Sequence, residues 1–144
     1  MQFIIEGLYI IFISLIFVAI DLNNYSGKCI VNLDMEKKKK AMTIIISHHI
    51  LATLSNFGWL FNSKITLILF CVTNILIIIH WISNKNKCLA TQKLNKLCGF
   101  PDDHSFPEFF YIIGLKKYDF WNNWLAYIYY ITILLIAIYK LFIF

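Results

Sequence analysis

The sequence predicts an all-α polytopic membrane protein that folds as a four-helix transmembrane bundle with short interfacial helices in its third loop. Hydrophobic residues make up 60% of the 144 residues and aromatic residues 17%. The mean hydropathy is +0.69, well above the range of soluble globular domains. The apolar residues are concentrated in runs of about 20, the length that a helix needs to cross a hydrocarbon core of about 30 Å. Charged residues, 15% of the chain, fall mainly between these runs.

Four apolar runs are long enough to cross a bilayer, and together they predict one membrane domain over residues 1–144. The predicted spans are residues 3–20, 41–61, 65–83 and 123–144. Only Asn62, Ser63 and Lys64 separate the second span from the third, so these two helices should form a tight antiparallel hairpin. The first run lacks the basic leader and the small-residue cleavage site of a secretory signal, which predicts an uncleaved anchor.

The lysines predict how the bundle is oriented. All 13 basic residues are lysines: five fall in the loop 21–40, six in the loop 84–122, and only Lys64 and Lys140 lie at the opposite end. Basic residues close to the ends of spans favour the cytosolic side of a membrane. Both lysine-rich loops are therefore predicted on the cytosolic side, and both termini on the other side.

The lipid bilayer is the principal expected partner. The run of four lysines at 37–40 lies next to a predicted span, where it favours anionic lipid headgroups. No nucleic-acid partner is predicted, because neither arginines nor an aromatic platform accompany this run.

The third loop, residues 84–122, is too long for a plain connector and is predicted to be ordered at the membrane surface. Leu89, Leu94 and Leu97 lie on one side of a short helix that Gly99 would end. A second short helix is predicted from the capping-box spacing further along, and aromatic residues then mark the entrance to the fourth span. The residues of this second part are Ser105, Glu108, Gly114, Tyr118, Trp121 and Trp124.

Two neighbouring spans each carry polar residues on one face, at about 100° of rotation per residue. Folding the hairpin places His49 opposite Thr73 or Asn74, which predicts a hydrogen bond between the two helices. The predicted intramembrane polar cluster comprises His48, His49, Asn56, Thr73, Asn74 and His80.

Three functional interpretations of this cluster are open. Neutral histidines that join helices indicate an integral membrane protein with a structural or assembly role, which is the interpretation we favour. Histidines as ligands or proton carriers would indicate a membrane-embedded enzyme or a cofactor- or proton-handling protein. A hydrated polar arc in an oligomer would indicate a small cation or proton pore. The chain contains no known catalytic motif, so no catalytic residue is assigned and enzyme activity is not expected.

The four cysteines are Cys29, Cys71, Cys88 and Cys98, and none of them forms a CxxC pair. The spacing of Cys88 and Cys98 is not that of a zinc site, so no metal or other cofactor is predicted. A Cys88–Cys98 disulfide would need an oxidising setting that the predicted topology does not favour. We therefore expect reduced, packed thiols.

Glu6 and Lys140 are the charged residues inside the first and last spans, and both lie near the predicted non-cytosolic face. Opposite charges at the same depth would attract each other strongly away from water. We predict a Glu6–Lys140 ion pair that docks these two helices.

A motif follows the third span: His80-Trp81-x-x-Asn84-x-Asn86-x-Cys88-x-x-Thr91, continued by Asn95-x-x-Cys98-Gly99. We predict that this segment is an ordered lid on the helix ends, in which Asn84 and Asn86 cap backbone groups and Thr91 starts the next helix. The motif resembles that of small polytopic membrane proteins of unknown function encoded by nucleocytoplasmic large DNA viruses. The resemblance implies a viral protein in a virion or host-derived membrane, with other membrane or capsid proteins as partners, and it implies no activity.

Overall fold

The computed structural model describes residues 1–24, 26–101 and 125–143, and all regular secondary structure in these ranges is helical. The all-α prediction is therefore confirmed for this part of the chain. A 3-10 turn, Gly58–Leu60, connects the third and fourth helices. The helices are α1 (Gln2–Asn24), α2 (Gly27–Val31), α3 (Met35–Phe57), α4 (Lys64–Ser83), α5 (Leu89–Cys98) and α6 (Leu125–Ile143).

Three of these helices, α1, α4 and α6, are long and apolar enough to cross a membrane. They correspond to the first, third and fourth predicted spans. Many of their large apolar side chains point outward, such as Leu8, Leu76 and Leu135, each at least 60% exposed. An outer surface of this kind is unfavourable in water and suits contact with acyl chains.

The second predicted span, residues 41–61, differs from the structure. Helix α3 starts at Met35, because the Asp34 side chain caps it by accepting the Lys37 N–H at 2.9 Å. It ends at Phe57 and is 23 residues long, but it is not among the helices apolar enough to be identified as a span. The reason is that α3 begins with the lysines at 37–40 and then carries several polar residues, of which four are buried. The four buried residues are His49, Thr53, Ser55 and Asn56.

Helix α3 is the central element: it packs against α1, α4 and α5, while α6 packs against α4. The turn after α3 requires Gly58, because a Cβ there would lie 2.8 Å from Cδ2 of Phe70 on α4. Helices α3 and α4 pack against each other as the predicted hairpin, with Gly58 against the Phe70 side chain.

At the lysine-rich end of the bundle, a disulfide joins Cys29 of α2 to Cys98, the last residue of α5, with their Cα atoms 5.6 Å apart. Buried Ile30, Ala41 and Leu94 pack beside it. The expectation of a reduced thiol is wrong for Cys98, because the packing of α2 and α5 against α3 brings it to Cys29 from a distant loop. Cys71 and Cys88 are not part of a disulfide.

The third loop begins as predicted with a short helix, α5. Gly99 ends this helix in the left-handed conformation, with φ of 68°. The second interfacial helix and the aromatic belt, predicted from Ser105 to Trp124, lie outside the described residues.

Candidate functional site

Glu6 of α1 binds the start of α4. Its Oε1 accepts the backbone N–H groups of Asn62 and Ser63, each at 3.1 Å, and its Oε2 accepts the Thr66 hydroxyl at 2.5 Å. The Gln2 side chain donates to the same carboxylate at 3.0 Å. A negative charge is favourable here because the first N–H groups of a helix have no intrahelical acceptor.

Lys140 of α6 binds the other half of the same turn. Its Nζ donates to the carbonyl oxygens of Trp59 at 3.0 Å and Phe61 at 2.7 Å. Glu6 and Lys140 therefore do not form the predicted contact ion pair, although they attract each other across the α3–α4 turn that both bind. The physical reason is that the turn offers unpaired backbone donors and acceptors at the same depth, and each charge binds the group of opposite polarity.

At the lysine-rich end, Asp21 of α1 forms a buried polar cluster with α3. Asp21 and His49 are 2% and 3% exposed, and Nε2 of His49 lies 2.9 Å from Oδ2 of Asp21. The other carboxylate oxygen accepts the Ser26 hydroxyl at 2.6 Å, and the Phe17 ring stacks on His49 with centroids 6.4 Å apart. The prediction that His49 bonds Thr73 or Asn74 is wrong, because His49 faces α1.

This cluster is not a catalytic triad. In a triad the serine hydroxyl donates to the imidazole, which in turn donates to the carboxylate. Here Ser26 and His49 both bind the Asp21 carboxylate, so the imidazole is not positioned to activate the hydroxyl. The arrangement joins α1 to α3 and supplies no nucleophile.

The contacts of Asp21 were not predicted, because Asp21 was assigned to the first loop. The signal was present: Glu6, Ser14 and Asp21 recur with helical spacing in the first span, and all three are buried. This polar stripe, with Ile10 and Val18 between its members, is the face of α1 that packs inside the bundle.

Helices α3 and α4 are joined by a polar contact near the turn. The Ser55 hydroxyl donates to the side-chain oxygen of Asn74 at 2.9 Å, and both residues are buried. The Tyr130 hydroxyl of α6 lies 3.4 Å from the side-chain oxygen of Asn56. The polar faces of the two helices therefore meet at this level, although the bonded pair is not the predicted one.

A cavity of about 490 Å³ lies between α3 and α4, with α5 at one end and Tyr130 of α6 in its wall. It is open on its outer side, where the lining residues Leu51 and Leu76 are exposed. Its walls are mainly apolar, and it lies within the ~300–1,000 Å³ range of small-molecule sites. His49 and Asn74, both bonded elsewhere, do not line it. The predicted site residues that do line it are His48, Asn56, Thr73, His80, Trp81 and Cys88.

At the end of the cavity, His80 and Asn84 connect α4 to α5. Nε2 of His80 accepts the backbone N–H of Leu89, the first residue of α5, at 3.2 Å. The Asn84 side-chain amide donates to the Lys87 carbonyl at 2.7 Å and to the Gln92 side chain at 2.9 Å. The Asn84 side chain thus bonds one backbone carbonyl just after the third predicted span, in the segment that connects α4 to α5.

Other residues of the motif stabilise this segment through different contacts. Asn86 has a φ of 61°, a conformation that asparagine tolerates better than most residues, and its side chain accepts the Tyr127 hydroxyl of α6. Buried Asn95 donates to the Pro101 carbonyl at 3.0 Å. The prediction that Thr91 starts the helix is wrong: α5 starts at Leu89 with Cys88 at the N-cap, so Thr91 lies in its first turn.

His48 and Cys88 form a pair at this end of the cavity, with Nδ1 of His48 3.7 Å from Sγ of Cys88. An imidazole beside a thiol can accept its proton, and the resulting thiolate is the reactive form of cysteine. The described residues contain no group of three or more histidine, cysteine or acidic side chains that could hold a metal ion. The described residues of this site therefore offer a thiol with a neighbouring base.

Comparison of the chain with protein-family models, curated proteins and solved structures gives no match. The resemblance of the motif to viral membrane proteins therefore stays a prediction.

Proposed function

We propose that the chain is a polytopic integral membrane protein in which α1, α3, α4 and α6 form a four-helix transmembrane bundle with a structural or assembly role. The observation that carries this proposal is that the charged groups within the proposed spans bind neighbouring helices and turns. Glu6 and Lys140 bind the α3–α4 turn, and Asp21 binds His49, so each charge joins helices. Polar groups used in this way stabilise a bundle and leave little charge for transport.

The geometry of α3 supports its role as the fourth span. Its 23 residues extend about 35 Å at a rise of ~1.5 Å per residue, enough for a core of about 30 Å. Its polar residues His49 and Ser55 are buried, whereas its exposed side chains include Ile46, Ile50 and Leu51. A helix with polar residues inside and aliphatic residues outside suits a position among other spans.

The proposed orientation places the lysine-rich end of the bundle in the cytosol. Eleven of the 13 lysines lie in the loops at this end, and membrane insertion responds to such lysines. The Cys29–Cys98 disulfide lies at the same end and on its own favours an oxidising compartment. The lysines decide the proposed orientation because they act during membrane insertion. A disulfide forms later and needs only an oxidant on its side of the membrane.

Reporter fusions test this orientation. Green fluorescent protein fused after Phe144 should be dark in a bacterial host, and alkaline phosphatase at the same position should be active. The same reporters fused after Pro101 should give the opposite results. A fluorescent C-terminal fusion would place the lysine-rich end outside and make the disulfide the better guide.

Photocross-linking tests the structural or assembly role. A photoreactive amino acid at exposed Leu8 of α1 or Ile131 of α6 should trap a second copy or another membrane protein in native membranes. The matched control is the same probe at buried Ile133, which should give no intermolecular product. Lipid adducts alone at both outer positions would contradict the proposal.

The cavity favours a second candidate function, a membrane-embedded enzyme or cofactor- or proton-handling protein. His48 and His80 both line the cavity, whereas His49 is excluded from this role by its bond to Asp21. A Soret band or a stoichiometric metal ion on the purified protein would support this candidate. Their absence, together with an unchanged bundle in a His48→Ala variant, would support the structural role.

The motif that starts at His80 supports a viral or host-derived membrane as the location. The proposal follows from the resemblance described above, and it predicts that the protein is packaged with a virion membrane and contacts capsid or other membrane proteins. Mass spectrometry of gradient-purified virus particles from the source would test it. Recovery only from cellular membranes without virus would contradict it.

A further inference from the structure

We propose that Cys88 is a site of S-acylation, in which a long-chain acyl thioester transfers its acyl group to the thiol, His48 takes the thiol proton, and the acyl chain occupies the cavity. This inference goes beyond the structural role and does not depend on it. It rests on three features of the described residues: the His48–Cys88 pair, the shape of the cavity, and the charges around its mouth.

The pair has the geometry for nucleophilic attack. Nδ1 of His48 lies 3.7 Å from Sγ of Cys88, and Cys88 is half-buried at the N-cap of the ten-residue helix α5. A helix N-terminus and an adjacent imidazole both favour a thiolate. The position of Cys88, on an amphipathic helix directly after a span, is also typical of S-acylated cysteines.

The transfer step is balanced without any further reactant. His48 accepts the proton from the Cys88 thiol, and the thiolate sulfur attacks the carbonyl carbon of the acyl thioester. A new sulfur–carbon bond forms at Cys88 as the bond between the carbonyl carbon and the sulfur of the carrier breaks. The carrier leaves as a thiol with the proton that His48 held, so no oxidant or reductant takes part.

The cavity has the dimensions for one acyl chain. Along α3 it is lined from Thr43 to Asn56, and from the level of His48, beside Cys88, to Asn56 it extends about 12 Å at a rise of ~1.5 Å per residue. Its outer side is open, so the end of a longer chain can continue into the bilayer. An acyl chain that crosses one leaflet covers about 15 Å, half of a core of about 30 Å. The walls between Cys88 and Asn56 are formed mainly by aliphatic and aromatic side chains, among them Leu51, Leu76, Ile77 and Trp81.

The charges at the mouth suit an anionic carrier such as coenzyme A. Lys93 of α5 lines the cavity next to Cys88, and Lys85 and Lys87 are exposed in the segment that precedes Cys88. A cluster of lysines raises the local concentration of a polyanionic ligand. The acyl end of such a ligand would then meet Cys88 at the entrance of the cavity.

The remaining cysteines provide internal controls. Cys71 is a buried thiol in the packing of α4 against α6 and does not line the cavity. Cys29 and Cys98 are bonded to each other. The proposal therefore predicts acylation at one position of the folded chain.

The experiment uses the purified full-length protein in nanodiscs, incubated with an alkyne-tagged palmitoyl-coenzyme A. Wild-type and Cys71→Ser proteins should both become labelled through a hydroxylamine-sensitive bond, which peptide mapping places at Cys88. Cys88→Ser should not be labelled. His48→Gln should react at least about 10-fold more slowly, since a general base contributes ~10²–10⁴-fold.

A second set of variants tests the chain site separately from the thiol. Ala52→Leu narrows the cavity, so it should slow labelling by palmitoyl-coenzyme A and leave labelling by acetyl-coenzyme A unchanged. Each variant is checked for the Cys29–Cys98 disulfide and for its melting temperature, and wild-type protein unfolded in detergent gives the background rate.

Four results would overturn the proposal: no label on folded wild-type protein, equal label at Cys71, a rate in His48→Gln equal to wild type, or a rate no faster than that of the unfolded chain. Palmitate held only without a covalent bond, so that organic solvent extracts all of it, would also contradict acylation and would identify the cavity as a lipid site alone. None of these outcomes bears on the photocross-linking test of the structural role.

Discussion

His48 and His49 are neighbours in the chain, yet they lie in two different regions of the molecule. His49 is 3% exposed and fixed by the Asp21 carboxylate and the Phe17 ring. His48 lines the cavity with its Nδ1 near the Cys88 thiol. One step of about 100° along a helix separates a side chain that joins two helices from one that faces a ligand-sized space.

The thiols of Cys71 and Cys88 also lie in two different environments. Cys71 lies in the packing between α4 and α6, whereas Cys88 lies at the mouth of the cavity beside an imidazole. The residue type of a polar or reactive group inside a membrane protein is thus not sufficient evidence that the group has a function. What its atoms contact decides whether it stabilises the fold or is available for chemistry.

The largest expected effect is a difference in stability between substitutions at His49 and at His48. His49→Leu leaves the Asp21 carboxylate buried without its imidazole, and breaking a buried pair in this way costs about 3–5 kcal/mol. His48→Leu should cost less, because the Cys88 thiol 3.7 Å from its Nδ1 is a weaker partner than a buried carboxylate. The measurement is the free energy of unfolding by SDS titration in mixed micelles.

The double variant Asp21→Leu with His49→Leu is the control for this prediction. It removes both members of the pair, so it should recover much of the stability that His49→Leu loses. Equal losses for His48→Leu and His49→Leu would mean that the two environments do not differ in the way described.

The next effect concerns the disulfide that holds α5 over the cavity. It closes a loop with a sequence separation of 69, so the double variant Cys29→Ser with Cys98→Ser should lose about 2–4 kcal/mol. Alkylation of Cys88 should become faster because α5 is held less firmly, whereas Cys71 should react as before. Unchanged stability and unchanged Cys88 reactivity would show that packing alone positions the helix.

A smaller effect is expected at the junction of α4 and α5. Asn84→Leu removes the donor to the Lys87 carbonyl and to Gln92, which should cost about 1–3 kcal/mol for the groups left unsatisfied. Hydrogen exchange should accelerate in α5 and stay the same in α1. Gln92→Ala, which removes one of these bonds, should have a weaker effect, and an unchanged melting temperature for Asn84→Leu would refute the capping role.

The smallest effect lies at the start of α3, far from both histidines. The Lys37 backbone N–H and its ammonium group hold the pKa of Asp34 below its usual value. The cap therefore contributes above the ordinary aspartate pKa and is lost as the pH falls through the lowered pKa of the folded state. The protection factor of the Lys37 amide, its exchange rate compared with the intrinsic rate at the same pH, should fall on acidification in the wild type, and it should be low at every pH in Asp34→Ala.

The sequence was sufficient for the positions of α1, α4 and α6, because a continuous apolar run of membrane-spanning length has few other structures open to it. It was also sufficient for the hairpin and for the end of α5 at Gly99, where a short connection and a left-handed glycine leave clear local signals. The polar residues of the second span were correctly placed inside the protein, but their partners were not.

The remaining features depend on tertiary contacts that no local pattern carries. The ion pair was predicted because Glu6 and Lys140 carry opposite charges. The sequence does not show that the turn between them has unpaired backbone groups, which both charges bind. Asp21 was assigned to a loop, so its bond to His49 was missed. The Cys29–Cys98 disulfide depends on how two loops pack on α3, which the spacing of the cysteines does not encode.

The most direct measurement of the difference between the two histidines is an NMR experiment in deuterated nanodiscs with a protonated fatty acid. Nuclear Overhauser effects should connect the acyl chain to the ring protons of His48, whereas the His49 ring should show effects only to protein neighbours such as Phe17. Effects from the acyl chain to His49, or none to His48, would contradict the assignment of His48 to a lipid-sized cavity and of His49 to the interface between α1 and α3.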